Sequence, residues 1–470
     1  MSGCATPWWG VADVAGDPFD VDELLARAED AVRKLMALGA DGAEAYVSVG
    51  TAVSVEVERD VVSYTTGDTE GGMGLRVVKD GRLGFAYTSD PSRVEVTGRD
   101  AIALSRLAPR TGYVLPGGAD QYPEVAGLDD PALVSMEPPE AVGMAGEMVD
   151  AAKAVHDGVT VGGAGVVAGH GSVAIANSEG ISVASHGTSL TAYTYVVLRG
   201  ATVSTGFEFT ASRSLVVDPS RVGEEAARMA ADAQGAVPLE RGGEMTVVFR
   251  PSPLAELLEY TMLPSVIGDA AQRGESAWSG RQGQAVASLS LTVVDDPTFA
   301  GGLSSGRCDD EGVPVRRNVL IEDGVLQGFL YDTFTANHYG VETTASAARG
   351  GGSGWRTQPE AGTSNVALYL PSVGELEDLV SEVDRGVLVH DLMGCHTSNR
   401  STLDFSVNST MPYEIRNGEL LGVRRPVMIG GNMGTLLERL LGSGGTARQC
   451  PGSSNVILPW IAADGGTVTP

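Results

Sequence analysis

Between Leu291 and Gly340 the chain reads LTVVDDPTFAGGLSSGRCDDEGVPVRRNVLIEDGVLQGFLYDTFTANHYG, and its punctuation leaves the backbone few choices. An apolar run ends in Asp295-Asp296-Pro297, which predicts a strand closing in a turn. A Gly/Ser loop leads to a second turn at Asp309-Asp310-Glu311-Gly312. Ile321-Glu322-Asp323-Gly324-Val325-Leu326 then carries the Asp-Gly pair that favours a two-residue hairpin. Short strands joined by tight turns predict an antiparallel, β-rich unit.

The opening of the chain has a different grammar. Asp20 is placed to cap a helix, with Glu23 three residues on and Leu24, Leu25, Ala28, Val32, Leu35 and Met36 along one face before Gly39. Val53, Val55 and Val57 alternate with Ser54, Glu56 and Glu58, the period of a half-buried strand. Further strands are expected at 61–66, 75–78 and 83–88, the last two joined by a turn at Lys79-Asp80-Gly81-Arg82. Helices are expected from Asp90-Pro91 to about Leu107, over about 139–155, from Asp218-Pro219 to about Ala233, and near 254–263, 373–384 and 433–441. Strand-like runs lie at 173–175, 181–183 and 190–198. Gly162-Gly163-Ala164-Gly165 and Gly350-Gly351-Gly352-Ser353-Gly354 read as mobile loops, because neither ends in the Gly-Lys-Ser/Thr that holds a phosphate. The fold class is α+β: an N-terminal α/β domain with antiparallel hairpins (20–107), a connecting α+β region (108–238) and a β-rich C-terminal domain (239–470).

The order of three blocks resembles the TldD/PmbA family, the modulators of DNA gyrase that act as peptidases on small peptides. Leu291 to Gly340 is similar to its C-terminal domain. GMGLRVVKDGRLGFAYT (Gly72 to Thr88) is similar to its N-terminal hairpin, and DFSVNSTMPYEIRNGELLGVRRPVMIGGNM (Asp404 to Met433) to its closing segment. TldD-like members hold zinc with a His-Glu-x-x-x-His helix and a later cysteine; PmbA-like members, also called TldE, lack the helix motif. Here no histidine is followed by glutamate. After the strand Met245–Val248, where the motif belongs, the chain reads PSPLAELLEYTMLPSV, with Glu256 and Glu259 but no imidazole. The resemblance therefore implies a metal-free PmbA/TldE-like subunit with no cofactor of its own. It would pair with a TldD-like zinc metallopeptidase and help it process unfolded peptides, which would lie extended along a strand edge.

Two alternatives stay open: a stand-alone homodimer that binds peptides without cleaving them, since fold does not fix function, and a divergent metallopeptidase. The latter would use His390, His396 and Cys450, ligand types that suit zinc, although the histidine spacing matches no usual helical pair. Asp295, Asp296, Asp309, Asp310 and Glu311 have carboxylates that hard cations select, but not at calcium-loop spacing. They are expected instead to organise turns beside the cleft. No Gly-x-Ser-x-Gly elbow stands at a strand-to-helix turn, and His170 and His186 are assigned no role.

A formal net charge of -28 opposes nucleic-acid binding, since phosphates would be repelled. Cys4, Cys308, Cys395 and Cys450 are scattered without paired spacing, which fits a reducing cytoplasm, and Cys4 reads as an incidental thiol. The N-terminus lacks the pattern of an ordinary signal peptide, and no apolar run is long enough for a membrane helix.

Overall fold

The computed structural model describes residues 19–350 and 354–470; Cys4 and Gly351 to Ser353 lie outside them. Helix α1 (Val21–Ala37) starts where Asp20 accepts hydrogen bonds from the backbone N–H of Asp22 and Glu23. Its face of Leu24, Ala28, Ala31, Val32 and Leu35 is buried against Ala43, Ala45, Val47, Val49, Ala174 and Ala176. Leu25 is half-buried and Met36 exposed, at the margin of that stripe.

Those partners belong to one sheet. Among the described residues β1 (Gly42–Glu58), β2 (Val61–Lys79), β3 (Arg82–Thr88), β4 (Val159–Asn177), β5 (Ser182–Arg199) and β6 (Val203–Ser212) form a six-stranded antiparallel sheet in the order β3-β2-β1-β4-β5-β6. Segments 20–107 and 108–238 thus contribute three strands each to a continuous surface. Its helical cover is α1, α2 (Val94–Ser105), a short α3 (Pro131–Val134), α4 (Pro138–Val155) and α5 (Pro219–Asp232). α4 and α5 bury alanines and Met148 on β4 and β5, and α5 also lies against β6.

Two expectations fail here for one reason. Gly162 to Gly165 lie inside β4 instead of forming a loop, with Gly163 opposite Tyr195 and Gly165 opposite Tyr193. A Cβ on Gly165 would stand 2.5 Å from the Tyr193 ring, so the glycines are the seat of neighbouring aromatic side chains. The separate strands at 61–66 and 75–78 are likewise one strand, since β1 pairs with β2 through the glycines between them. The Asp80-Gly81 turn is as expected, both residues having positive φ.

The C-terminal unit begins with β7 (Gly243–Phe249), α6 (Pro251–Tyr260), α7 (Met262–Ser265) and α8 (Gly268–Gln272). It continues through β8 (Thr292–Asp295), β9 (Asn318–Glu322), β10 (Val325–Leu326), α9 (Thr333–Tyr339), β11 (Ala347–Ala348), β12 (Glu360–Ala361), β13 (Asn365–Tyr369), α10 (Leu376–Ser381) and β14 (Arg385–Val389). Last come β15 (Asp404–Ser409), β16 (Pro412–Arg416), β17 (Glu419–Val423), β18 (Val427–Asn432), α11 (Met433–Glu438), β19 (Leu440–Pro451) and β20 (Asn455–Thr469). Among the described residues twelve of these strands make a mixed sheet along β10-β9-β8-β13-β20-β7-β14-β16-β17, with β15, β18 and β19 attached. Its hydrophobic core takes in Phe249, Leu257, Leu258 and Trp278. The Asp323-Gly324 hairpin forms as expected, with positive φ at both residues.

The two units meet through buried charge. Arg76 on β2 donates to Glu44 on β1 (2.5 Å) and to Glu311 (2.8 Å), and Arg349 donates to Glu44 (2.7 Å). Beside them Trp355 packs so closely over β2 that a Cβ on Gly72 would lie 2.2 Å from its ring. Glycine is therefore required there by close approach. No described helix is long and apolar enough to cross a membrane.

Candidate functional site

Strand β7 delivers Arg250 to the start of α6, where Pro251 and Pro253 fit the first turn, its N–H groups having no helical partner. The helix buries Leu254, Leu257 and Leu258 in the core and turns Ala255, Glu256 and Glu259 toward a cavity of about 410 Å³. The opposite walls come from β6 (Phe207, Glu208, Phe209), from the end of β14 (His390, Asp391) and from Cys450 on β19.

The charge of this cavity is set by three residues far apart in sequence. Buried Arg250 donates to Glu208, which also accepts from Arg448 at 2.8 Å. Burial would raise the Glu208 carboxyl, but the two guanidiniums outweigh it and hold the group below its ordinary range. His390 packs against Tyr413 and Trp460, with ring centroids at 4.9 and 5.4 Å. Burial and the adjacent Arg250 charge lower its imidazole to about 3, so it is neutral near pH 7. Burial pushes the Cys450 thiol up to about 12. Partial burial raises the Glu256 carboxyl, against a hydrogen bond from Cys395 that favours the anion.

These groups do not fit a zinc ion. A His-Glu-x-x-x-His frame laid on α6 with its glutamate at Glu256 puts Ala255 and Tyr260 at the imidazole positions. The cation facing the cavity is a guanidinium. Of the three candidate ligands, His390 and Cys450 line the cavity, whereas His396 is exposed outside it, edge-on to Tyr260 at 6.4 Å. Among the described residues no group of three or more His, Cys, Asp or Glu is arranged to hold a metal ion. The sequence offered no signal for the Glu208, Arg250 and Arg448 cluster, because nothing local marks residues that meet only in the fold.

The Asp-rich turns lie elsewhere, at the join of the two units. Asp295 accepts from the Ser364 N–H (2.6 Å) and hydroxyl (2.9 Å), and burial raises its carboxyl to about 6. Asp296 accepts from the Thr298 N–H at 2.9 Å. Asp309 accepts from the N–H groups of Glu311 (3.0 Å), Val313 (2.9 Å) and Ala347 (3.1 Å). Burial, and then the neighbouring Glu311 charge, raise it well above the carboxylate range. Asp310 accepts from the Arg349 N–H (2.6 Å), and burial raises it too. Glu311 accepts from Arg76 and Tyr113 (2.8 Å each) and from the Thr333 N–H (2.8 Å). Burial works to raise its carboxyl, but the Arg76 charge and the Thr333 bond prevail and leave it lowered. Each of these carboxylates is engaged by protein donors.

Three domain signatures match the chain: PmbA/TldA metallopeptidase domain 1 over residues 43–105, the central domain over 131–234 and the C-terminal domain over 242–470. An uncharacterized protein of Methanocaldococcus jannaschii is 28% identical over 410 residues, covering 86% of this chain and 92% of its own. Metalloprotease PmbA of Escherichia coli O157:H7 is 24% identical over 457 residues, 93% of this chain and 95% of that one. The crystal structure of TldE from Thermococcus kodakarensis superposes with a TM-score of 0.88 at 28% identity, over 94% of this chain and 100% of that one. With all three signatures in order and the mixed α+β fold of TldE, the chain belongs to the PmbA/TldD metallopeptidase family, as a member without the His-Glu-x-x-x-His helix.

Proposed function

We propose that this chain is the non-catalytic, metal-free subunit of a two-component cytoplasmic peptidase, pairing with a TldD-like zinc metallopeptidase that degrades or processes unfolded small peptides. The observation that carries the reading is that α6 contains no histidine, while Arg250 at its start faces the cavity ion-paired to Glu208. A metalloprotease needs ligands that leave an open coordination position and polarise water. A buried guanidinium at that place repels a divalent cation and cannot ligate it. The likeness to TldE and to metalloprotease PmbA supports the assignment to the motif-less partner.

The test is reconstitution. The chain is mixed with a TldD-like homologue that carries the His-Glu-x-x-x-His helix, and cleavage of an unfolded peptide is followed. Activity is expected from the mixture and not from this chain alone, and Cys450→Ala is expected to leave it intact. Equal cleavage by the homologue with or without this chain would favour the stand-alone peptide-binding homodimer instead.

A further inference from the structure

A second and larger cavity, about 890 Å³, plays no part in the reading above. Its floor is the helix-free face of the six-stranded sheet. Side chains alternate along a strand, and Val47 and Val49 of β1 are buried under α1, so Ser48, Gly50 and Ala52 face the other way. Register carries that face across the sheet. Gly50 lies opposite Gly171 and Ala52 opposite Gly169 on β4; on β5, Ser189 continues the Ala52 row, whereas Gly187, at the end of the Gly50 row, is covered by the Arg213 side chain and the Leu128 carbonyl. The result is a floor of backbone and very small side chains, on which another backbone can lie close. From Ser48 to Ala52 the floor runs about 13 Å, the length of a four-residue extended segment.

Charge decides what such a segment would be. On β2 the same rows end in Asp68, opposite Ala52, and Glu70, opposite Gly50. The facing wall holds Asp295, Asp309 and Asp310. Burial disfavours the anionic form of Asp295, Asp309 and Asp310, so the negative charge of the groove is carried chiefly by Asp68 and Glu70. Among the described residues the basic side chains of the lining are His170, His186 and Arg213, and the Arg213 guanidinium is spent on the carbonyls of Leu128, Gly302, Leu303 and Ser305. Arg356 lies outside the lining and pairs with Glu70. One end of the groove is closed where Tyr46 and Trp355 pack with Ile175.

We propose that this groove binds a basic peptide in extended form, its main chain over the glycine floor and its cationic side chains toward the Asp68 and Glu70 rim. Complementary charge supplies attraction and selectivity, and the flat floor makes little demand on side-chain shape. The site belongs to this chain alone and stands whether or not a peptidase partner exists.

The test uses the full chain and two fluorescein-labelled, end-blocked octapeptides, one of alternating Arg and Ser and the other with Glu in place of Arg, read by anisotropy. The basic peptide is expected to bind, the acidic one not, and the affinity to weaken as salt rises from about 50 to about 500 mM. Ala52→Trp, which fills the floor, and Asp68→Lys, which reverses the rim, should each lower affinity about tenfold or more while circular dichroism and melting temperature stay those of the parent. Ser189→Trp serves the same purpose from β5 should Ala52→Trp fail to fold. Binding of both peptides alike, or undiminished binding by a folded floor-filling variant, would overturn the proposal. Neither outcome bears on the reconstitution experiment, which reads cleavage.

Discussion

At the scale of single residues, Asp295 links burial to a measurable pH dependence. Its carboxyl is raised to about 6 in the fold because burial penalises the anion more than the Ser364 bonds favour it. A group raised on folding contributes stability that is fully present below its unfolded pKa of about 4 and is lost as pH climbs through the folded value. Asp295→Asn keeps an oxygen for the Ser364 donors and removes the charge. The variant should therefore gain on the parent across about pH 4 to 6, reaching an advantage on the order of 2–3 kcal/mol at neutral pH. Urea unfolding of both proteins at several pH values checks this; a stability difference that does not change with pH would refute it. Glu311 has the opposite sign, since Arg76 and Thr333 hold it lowered, so its contribution is present at neutral pH and fades in acid.

At the scale of elements, the turn from Asp309 to Gly312 is held by three backbone N–H groups converging on one carboxyl. Asp309→Ala would remove those acceptors, at about 1 kcal/mol each, whereas Asp309→Asn retains one oxygen and should lose much less. If the turn is organised by these bonds and not by a cation, EDTA leaves the parent's melting temperature unchanged. A drop restored by calcium or magnesium would point to a metal site. At α6, Arg250→Met alone leaves Glu208 buried with Arg448 as its remaining close partner and should cost about 3–5 kcal/mol. Glu208→Met with Arg250→Met should recover most of that loss in a denaturation midpoint series, because neither charge is then stranded. What was legible in the sequence follows the same division. The Asp20 cap, the Asp80-Gly81 and Asp323-Gly324 hairpins and the Pro-started α6 could be read because local chemistry sets them. Gly162 to Gly165 misled because loop glycine and strand glycine look alike until Tyr193 and Tyr195 are known to lie across from them. Of the candidate site, Cys450 and His390 were visible as residue types, but that they share a cavity while His396 does not is a property of strand order.

At the scale of the whole molecule, two sheets are fastened by Glu44, Arg76, Arg349 and Glu311, all shut away from solvent, and by Trp355 over Gly72. That join places the Asp-rich turns between the units, while α6 stands away from them beside a separate cavity that Arg250 lines. The metal-free reading proposed above rests on the want of any histidine in α6 and on the guanidinium that faces the cavity beside it. Its most direct test is elemental analysis of the purified chain alongside its reconstituted complex. The account predicts no stoichiometric zinc and no peptide cleavage for the chain by itself, with zinc and activity appearing together when the His-Glu-x-x-x-His partner is added. One tightly bound zinc per chain in the isolated protein, removed by chelation and restored by zinc alone, would contradict it.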